Sequence, residues 1–143
     1  LRTARSRLML TARSIIFQMQ IGQALTHSLT RQMTEEDCTF ILVFDNGNPV
    51  GFASFSEIKK GNWKLHKIYI LPNEQGKGIG RFIIDHITKT IRLQGADSLL
   101  LQVNRYNKAK DFYEKLGFVV IEVADFDIGN GYFMNDFVME KKF

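Results

Sequence analysis

The feature that most constrains this chain is a strand that runs into an amphipathic helix through a loop with glycine at every second position. The strand is predicted at Trp63–Leu71 and is stopped by Pro72. The helix, predicted at Gly80–Gln94, carries isoleucines four residues apart and is closed by Gly95. The loop reads Gln75-Gly76-Lys77-Gly78-Ile79-Gly80. A strand that leads directly into a helix predicts a domain in which helices pack on a sheet.

The alternating glycines favour a loop that binds phosphate. Gly76, Gly78 and Gly80 permit a positive φ and lack a Cβ, so the chain can wrap closely around a ligand. The helix that follows begins with four N–H groups that lack intrahelical partners, at the positive end of its dipole. Lys77 and Arg81 would add positive charge at the rim. A tight turn that only packs a helix on a sheet remains an alternative, and neither a dinucleotide-binding G-x-G-x-x-G nor a P-loop is present.

The rest of the chain alternates between strand and helix patterns. Strands are predicted at Thr39–Phe44, Val50–Ile58, Trp63–Leu71, Ser98–Val103, Phe118–Val123 and Tyr132–Met139. Lys108–Leu116 predicts a second short helix, residues 8–33 predict one or two helices broken near Gly22, and Asp125–Gly131 predicts a turn. This order indicates an α+β, or mixed α/β, fold in a single domain over residues 1–143.

The positive charge of the chain is concentrated at its N-terminus. The net charge is +4, yet residues 1–34 contain five arginines and no acid, which leaves −1 for the remainder. A nearly neutral body disfavours nucleic acid as a partner. The run LRTARSRLMLTARS has the composition of a transit peptide, although a surface helix with a basic face is the preferred interpretation. No apolar stretch is long enough to span a membrane, and with Cys38 as the single cysteine we expect a cytoplasmic protein.

Two blocks of sequence resemble one known family. The run Leu65–Gly80 is similar to the central motif of the GNAT superfamily of N-acetyltransferases, a strand followed by Gln/Arg-x-x-Gly-x-Gly/Ala and a helix. The run Asn107–Phe118 is similar to the downstream block of that family, and the two occur in the family's order. The resemblance covers roughly Thr39–Phe143 and implies a central, mostly antiparallel sheet, splayed in the middle and flanked by helices. Residues 1–33 do not show the family's usual first strand and helix.

The resemblance also implies acetyl-CoA as the acyl donor. The main chain of Ile68, Tyr69 and Ile70 would part from the Ser98–Val103 strand and bind the pantetheine arm, and an N–H near Ile70 would polarise the thioester carbonyl. The pyrophosphate would lie on the main chain of Gln75, Gly76, Lys77, Gly78, Ile79 and Gly80. Asn107 is expected to contact the cofactor, with Asn104 as the second candidate.

Two side chains are the main candidates for catalysis, and a third is weaker. The resemblance implies that Tyr113 protonates the departing thiolate as a general acid, and its reference pKa near 10 is adequate for that task. The alternative is an aromatic residue on the core face of a short helix. His66, just before the cofactor motif, is a candidate base for the attacking amine, although a surface or structurally satisfied strand histidine is the slightly preferred interpretation. Glu57 is a weaker candidate for the base.

Direct attack by a primary amine in a ternary complex is the expected mechanism. A covalent acetyl-enzyme through Cys38 is disfavoured, because acidic residues beside it oppose a thiolate. The three histidines show no metal-ligand spacing, so we expect no metal.

Two other function classes stay open at this point. The first is a CoA-binding sensor without catalysis, and the second is a domain that binds nucleic acid or protein through the basic arm. The sequence does not identify the amine acceptor. We expect no membrane partner, and an exposed C-terminal strand leaves a homodimer open.

Overall fold

A computed structural model describes residues 2–5, 38–129 and 132–143. These residues form seven strands and two α-helices. The strands are β1 (Arg2–Arg5), β2 (Thr39–Asp45), β3 (Asn48–Lys59), β4 (Asn62–Ile70), β5 (Ser98–Asn104), β6 (Val119–Gly129) and β7 (Tyr132–Lys142). The helices are α1 (Ile79–Arg92) and α2 (Ala109–Lys115), and a 3₁₀ turn at Pro72–Glu74 follows β4.

All seven strands of the described residues lie in one sheet in the order β1-β2-β3-β4-β5-β7-β6. Every neighbouring pair is antiparallel except β4 and β5, which are parallel. The predicted α+β class with a mostly antiparallel sheet is therefore confirmed. The parallel pair arises because α1 connects the two strands as a crossover.

The sheet opens in its middle, between β4 and β5. These strands pair only at Asn62–Lys64 against Ser98–Leu100, whereas β4 stays paired with β3 as far as Ile70. Ser54 is paired with Lys67 and Phe55 with Leu65, so that His66 is the extra residue of a β-bulge. A bulge bends its strand and increases the local twist. The bend carries the second half of β4 away from β5.

The isoleucine face of α1 covers one face of the sheet. Its buried side chains, which are 0 to 3% exposed, are Ile79, Ile83, Ile84, Ile87 and Ile91. They pack in one cluster with residues of β2 to β5, and α2 joins this cluster through Tyr113. The isoleucines that recur at helical spacing in the sequence are therefore the residues of α1 that face the core.

Three expectations from the sequence are wrong. Arg2–Arg5 is an edge strand against β2 and not a helix, because main-chain pairing requires no apolar pattern. Asp125–Gly129 is not part of a turn but continues β6, and it pairs with β7 as far as Gly129 opposite Tyr132. The C-terminal strand β7 is not an exposed edge, because β5 and β6 lie on either side of it.

The helices predicted within residues 8–33 lie outside the described residues, as does most of the basic run at residues 1–14, for which a surface helix was preferred to a transit peptide. Within the described part of the chain, no helix has the length and apolar character needed to cross a membrane.

Removing the side chain of Ile87 tests the packing of α1. Ile87 is fully buried, so Ile87→Ala should lower the free energy of unfolding by about 2–5 kcal/mol through lost burial and a cavity. Leu93, just beyond the end of the same helix, is 89% exposed, and Leu93→Ala should cost less than about 0.5 kcal/mol. Urea unfolding of both variants measures the difference. Equal losses would contradict the assigned core face.

Candidate functional site

The parting of β4 from β5 leaves main-chain groups without a neighbouring strand. The N–H of Leu71 donates to the carbonyl of Val50 on β3 at 2.9 Å. Main-chain groups of successive strand residues point in opposite directions. The N–H groups of Ile70 and Ile68 therefore point away from β3, into the gap. The strand that was predicted to part from its neighbour at Ile68–Ile70 therefore does so at these residues.

Two cavities meet at this gap. The fork cavity, of about 310 Å³, lies between β4 and β5 and extends past His66, Lys67 and Gln102. The loop cavity, of about 720 Å³, lies beside the glycine loop. The residues that line both are Ile68, Asn107, Ala109 and Tyr113. Because these residues are shared, the two cavities form one cleft.

The glycine loop adopts a backbone that glycine favours. Gly76 and Gly78 both have φ +81°, and a Cβ built on either would have no atom within 4 Å. Both positions are therefore open and left-handed. Gly80 is different, because its φ is not positive and a Cβ there would lie 3.0 Å from Cζ of Phe112 and 3.3 Å from Cδ1 of Ile70. Gly80 thus allows α1 to pack closely against α2 and β4.

The loop presents main-chain donors to the loop cavity. The first hydrogen bond of α1 runs from the N–H of Phe82 to the carbonyl of Gly78 at 3.1 Å, and no side chain of the described residues caps the helix. Among the described residues, the N–H groups from Gly76 to Arg81 have no hydrogen-bond acceptor. Three of these six donors belong to the loop and three to the first turn of α1, at the positive end of its dipole, and together they fit a diphosphate. All six residues except Lys77 line the cavity.

The side chains around the loop have separate roles. Lys77, which does not line the cavity, places its ammonium 3.0 Å from the carboxylate of Glu74. Arg81 and Lys108 do line it and bring positive charge beside the free N–H groups. The side-chain amide of Gln75 donates to the carbonyl of Ile70 at 3.3 Å and so fixes the loop to the end of β4.

The asparagine predicted to contact the cofactor also supports α2. Oδ1 of Asn107 accepts a hydrogen bond from the N–H of Ala109 at 2.9 Å, which satisfies a free donor of the first turn. Oδ1 of Asn104 accepts from the N–H of Tyr106 at 3.0 Å. Asn104 lines only the fork cavity, whereas Asn107 lines both cavities. Its position therefore favours Asn107 over Asn104.

Tyr113 lies where the two cavities meet. Its ring is 6% exposed and contacts the rings of Phe112 and Phe118 edge-on, with centroids 5.2 and 5.7 Å away. Burial raises the pKa of Tyr113 to about 12, because the apolar surroundings disfavour the phenolate. Tyr113 therefore carries its proton throughout the physiological pH range.

His66 lines the fork cavity from the bulge in β4. Its Nε2 lies 2.6 Å from Oγ of Ser56 on β3, and this contact holds the imidazole against the strand. Of the other candidates, Glu57 accepts a hydrogen bond from the N–H of Gly61 at 3.0 Å in the β3–β4 turn. Neither Glu57 nor Cys38 lines either cavity.

Three residues at the cleft were not singled out from the sequence, namely Ser56, Lys67 and Gln102. The contact between Ser56 and His66 was difficult to predict, because it depends on the register of β3 and β4 across the bulge. Lys67 and Gln102 come together only through the crossover that places β5 beside β4.

Comparison with known proteins agrees with this architecture. Residues 16–134 match the model of the acetyltransferase (GNAT) domain family. A [ribosomal protein bS18]-alanine N-acetyltransferase from Haemophilus influenzae is 30% identical over 57% of this chain and 55% of its own length. A spermidine N(1)-acetyltransferase from Thermoplasma acidophilum is 28% identical over 85% of this chain and 70% of its own length. The chain spans about half the length of the curated relatives that it matches at the higher identities.

The fold is also that of solved structures. An aminoglycoside 6'-N-acetyltransferase complexed with coenzyme A superposes with a TM-score of 0.79 at 15% identity, covering 99% of this chain and 97% of the other. At this identity the likeness concerns the fold. The family match covers most of the chain, with a splayed sheet and a glycine loop at the residues that the family motif requires. The chain therefore belongs to the GNAT family of acetyltransferase domains.

Proposed function

We propose that this protein transfers the acetyl group of acetyl-CoA to a primary amine by direct attack in a ternary complex. The observation that supports the proposal most strongly is the row of free N–H donors from Gly76 to Arg81 beside the open gap between β4 and β5. Together they provide an anion site and a slot for an extended chain within one cleft. The membership of the GNAT family supports the same activity.

The donor would be bound mainly by the main chain. The loop residues Gln75, Gly76, Lys77, Gly78, Ile79 and Gly80 would hold the diphosphate, and Arg81 and Lys108 would add positive charge. From there Ile68 and Ile70 would pair with the pantetheine arm as a missing strand would, with Tyr69 between them facing β3. Asn107 would contact the arm where the two cavities join.

Acetyl-CoA, when bound, supplies an activated acetyl thioester. The N–H of Ile70 points into the gap, where it would donate to the carbonyl oxygen as negative charge develops on it. A fixed main-chain donor needs no reorientation during the reaction, which is why such donors stabilise a transition state effectively.

Tyr113 would donate its proton to the departing sulfur. The C–S bond would break after the C–N bond has formed, and the departing thiolate would take the phenolic proton, which solvent would later restore. Its pKa of about 12 lies above the reference thiol pKa of about 8.5. Proton transfer would therefore accompany the departure of the sulfur, because the same apolar surroundings would also disfavour a free thiolate.

His66 would accept the proton that the amine must lose, directly or through water. It lines the fork cavity, on the side of Tyr113 away from the glycine loop, where an acceptor can approach. The contact with Ser56 would keep the ring in that position. His66 is then the base and Ser56 its positioning residue.

The acceptor is an amine in each of the relatives described above by name. Their names specify a protein alanine, spermidine and an aminoglycoside. We propose a primary amine for this chain on the same chemistry. A homodimer and a cytoplasmic location stay predictions.

The proposal is tested by supplying acetyl-CoA with a panel of primary amines and measuring free thiol and acetylated product. We expect thiol release that depends on the amine, with one acetyl group transferred for each thiol. A CoA-binding sensor would bind acetyl-CoA, measured by calorimetry, without amine-dependent thiol release. That result would contradict the proposed transfer while leaving the cleft as a CoA site.

Replacing Tyr113 by Phe should lower kcat by roughly 100-fold or more, because the departing thiolate loses its proton donor. The affinity for CoA should change little, since the ring and its packing are retained. Tyr106→Phe is the matched control, because Tyr106 is 79% exposed and lines neither cavity. An unchanged kcat in Tyr113→Phe would remove Tyr113 from the mechanism.

Tyr113 should ionise at a higher pH than an exposed tyrosine. At about pH 11, midway between the reference pKa and the raised value, Tyr113 should still be protonated. Its contribution to stability is then complete below pH 10 and is lost as the pH rises towards 12. Wild-type protein and Tyr113→Phe should therefore show equal tyrosinate absorbance at about pH 11, with folding checked by circular dichroism. One additional tyrosinate in the wild type would contradict the buried phenol.

A further inference from the structure

The two sides of the cleft differ in how they bind charge. On the loop side, main-chain donors of α1 and the glycine loop face the cavity. On the fork side, the only ionisable side chains among the described lining residues are His66, Lys67 and two tyrosines, Tyr69 and Tyr113. No aspartate or glutamate of the described residues lines the fork cavity. A site for a polyamine or another polycation needs carboxylates, and the described part of the fork cavity provides none.

The bulge in β4 determines where Lys67 lies. Before the bulge, Trp63 and Leu65 belong to the core under α1, and after it Ile68 and Ile70 pack against that core. The extra residue shifts the alternation, so that Lys67 falls on the opposite face of the sheet, paired with Ser54. Lys67 lines the fork cavity but not the loop cavity. Lys67 therefore lies on the fork side of the cleft, where the acceptor would bind, and not on the loop side.

The charged side chains near Lys67 on that face of the sheet do not form an ion pair with it within the described residues. Lys64, three residues before Lys67 in β4, donates from its ammonium to Oε1 of Gln102 on β5 at 3.4 Å. On β7, Glu140 lies 3.9 Å from the ammonium of Lys142. Asp136 is buried opposite Asn104 and does not line the fork cavity. Within the described residues, Lys67 has no ion pair.

We propose that Lys67 binds an anionic group, a carboxylate or a phosphate, on the amine that is acetylated. This proposal rests on the proposed acetyl transfer and specifies its acceptor: a small amine that carries a negative charge, such as an amino acid or a phosphorylated amine, and not a polycation. The fork cavity, of about 310 Å³, continues past Ile68 to His66 and Lys67, where a small acceptor would bind beside the thioester. His66 precedes Lys67 in β4, so that the anion and the amine would be held by neighbouring residues.

The test compares acceptors that differ only in the anion. The pairs are glycine with glycinamide and O-phosphoethanolamine with ethanolamine, and spermidine represents the polycations. Rates are measured by thiol release and expressed per concentration of neutral amine, because the anion alters the pKa of the amine. We expect kcat/KM to be about 10- to 100-fold higher for the anionic member of at least one pair, the range of one charge-assisted hydrogen bond. The pair that shows the effect identifies carboxylate or phosphate as the ligand.

Substitutions of Lys67 test whether this residue causes the preference for the anionic acceptor. Lys67→Gln should raise KM for the anionic acceptor by about 10- to 100-fold, with little change for the neutral member of the pair, and Lys67→Arg should restore most of the preference. Lys60→Gln is the matched control, because Lys60 is exposed in the β3–β4 turn and lines neither cavity. Calorimetric binding of CoA confirms that each variant is folded.

The outcomes separate this inference from the proposed function. If no acceptor releases thiol, the proposed transfer is contradicted and the acceptor assignment falls with it. If thiol is released but spermidine or the neutral amines are preferred, or if Lys67→Gln has no selective effect, acetyl transfer stands and the role of Lys67 is overturned.

Discussion

The site depends on the point at which hydrogen bonding between β4 and β5 stops. β4 retains its pairing with β3 along most of its length but shares only three residues with β5. A strand within a sheet that lacks a neighbour on one side has main-chain groups that must find other partners. At Ile68 and Ile70 those groups face a cleft, and an extended ligand can satisfy them as a strand would.

The bulge at His66 joins the geometry of the sheet to the chemistry of the cleft. It bends β4 away from β5 and reverses the alternation of the side chains that follow. Because of that reversal, Ile68 and Ile70 pack towards α1 while Lys67 and Tyr69 are on the other face. One inserted residue therefore sets both the opening of the sheet and the polar character of its acceptor side. Tyr113 reaches the same opening from α2, so a proton donor lies where the two cavities meet.

The features set by local sequence were predictable. The glycine spacing and the isoleucine period gave α1 and the loop before it, and the order of strands gave the mostly antiparallel sheet. The distinct role of Gly80 was not predictable, because it depends on Phe112 of a helix that lies about thirty residues later. Strict alternation along β4 would have placed Lys67 in the core, and only the register across the bulge corrects this. The strand at Arg2–Arg5 could not be predicted either, since edge pairing leaves no side-chain pattern.

The central claim is that free main-chain donors in the loop and in β4 hold the donor substrate. It is tested most directly by following the backbone amide resonances of isotope-labelled protein during a titration with CoA. We expect the largest shifts at the amides of residues 76–81 and of Ile68 and Ile70, where the donors have no partner in the described structure. Shifts concentrated elsewhere, with these amides unchanged at saturation, would contradict it.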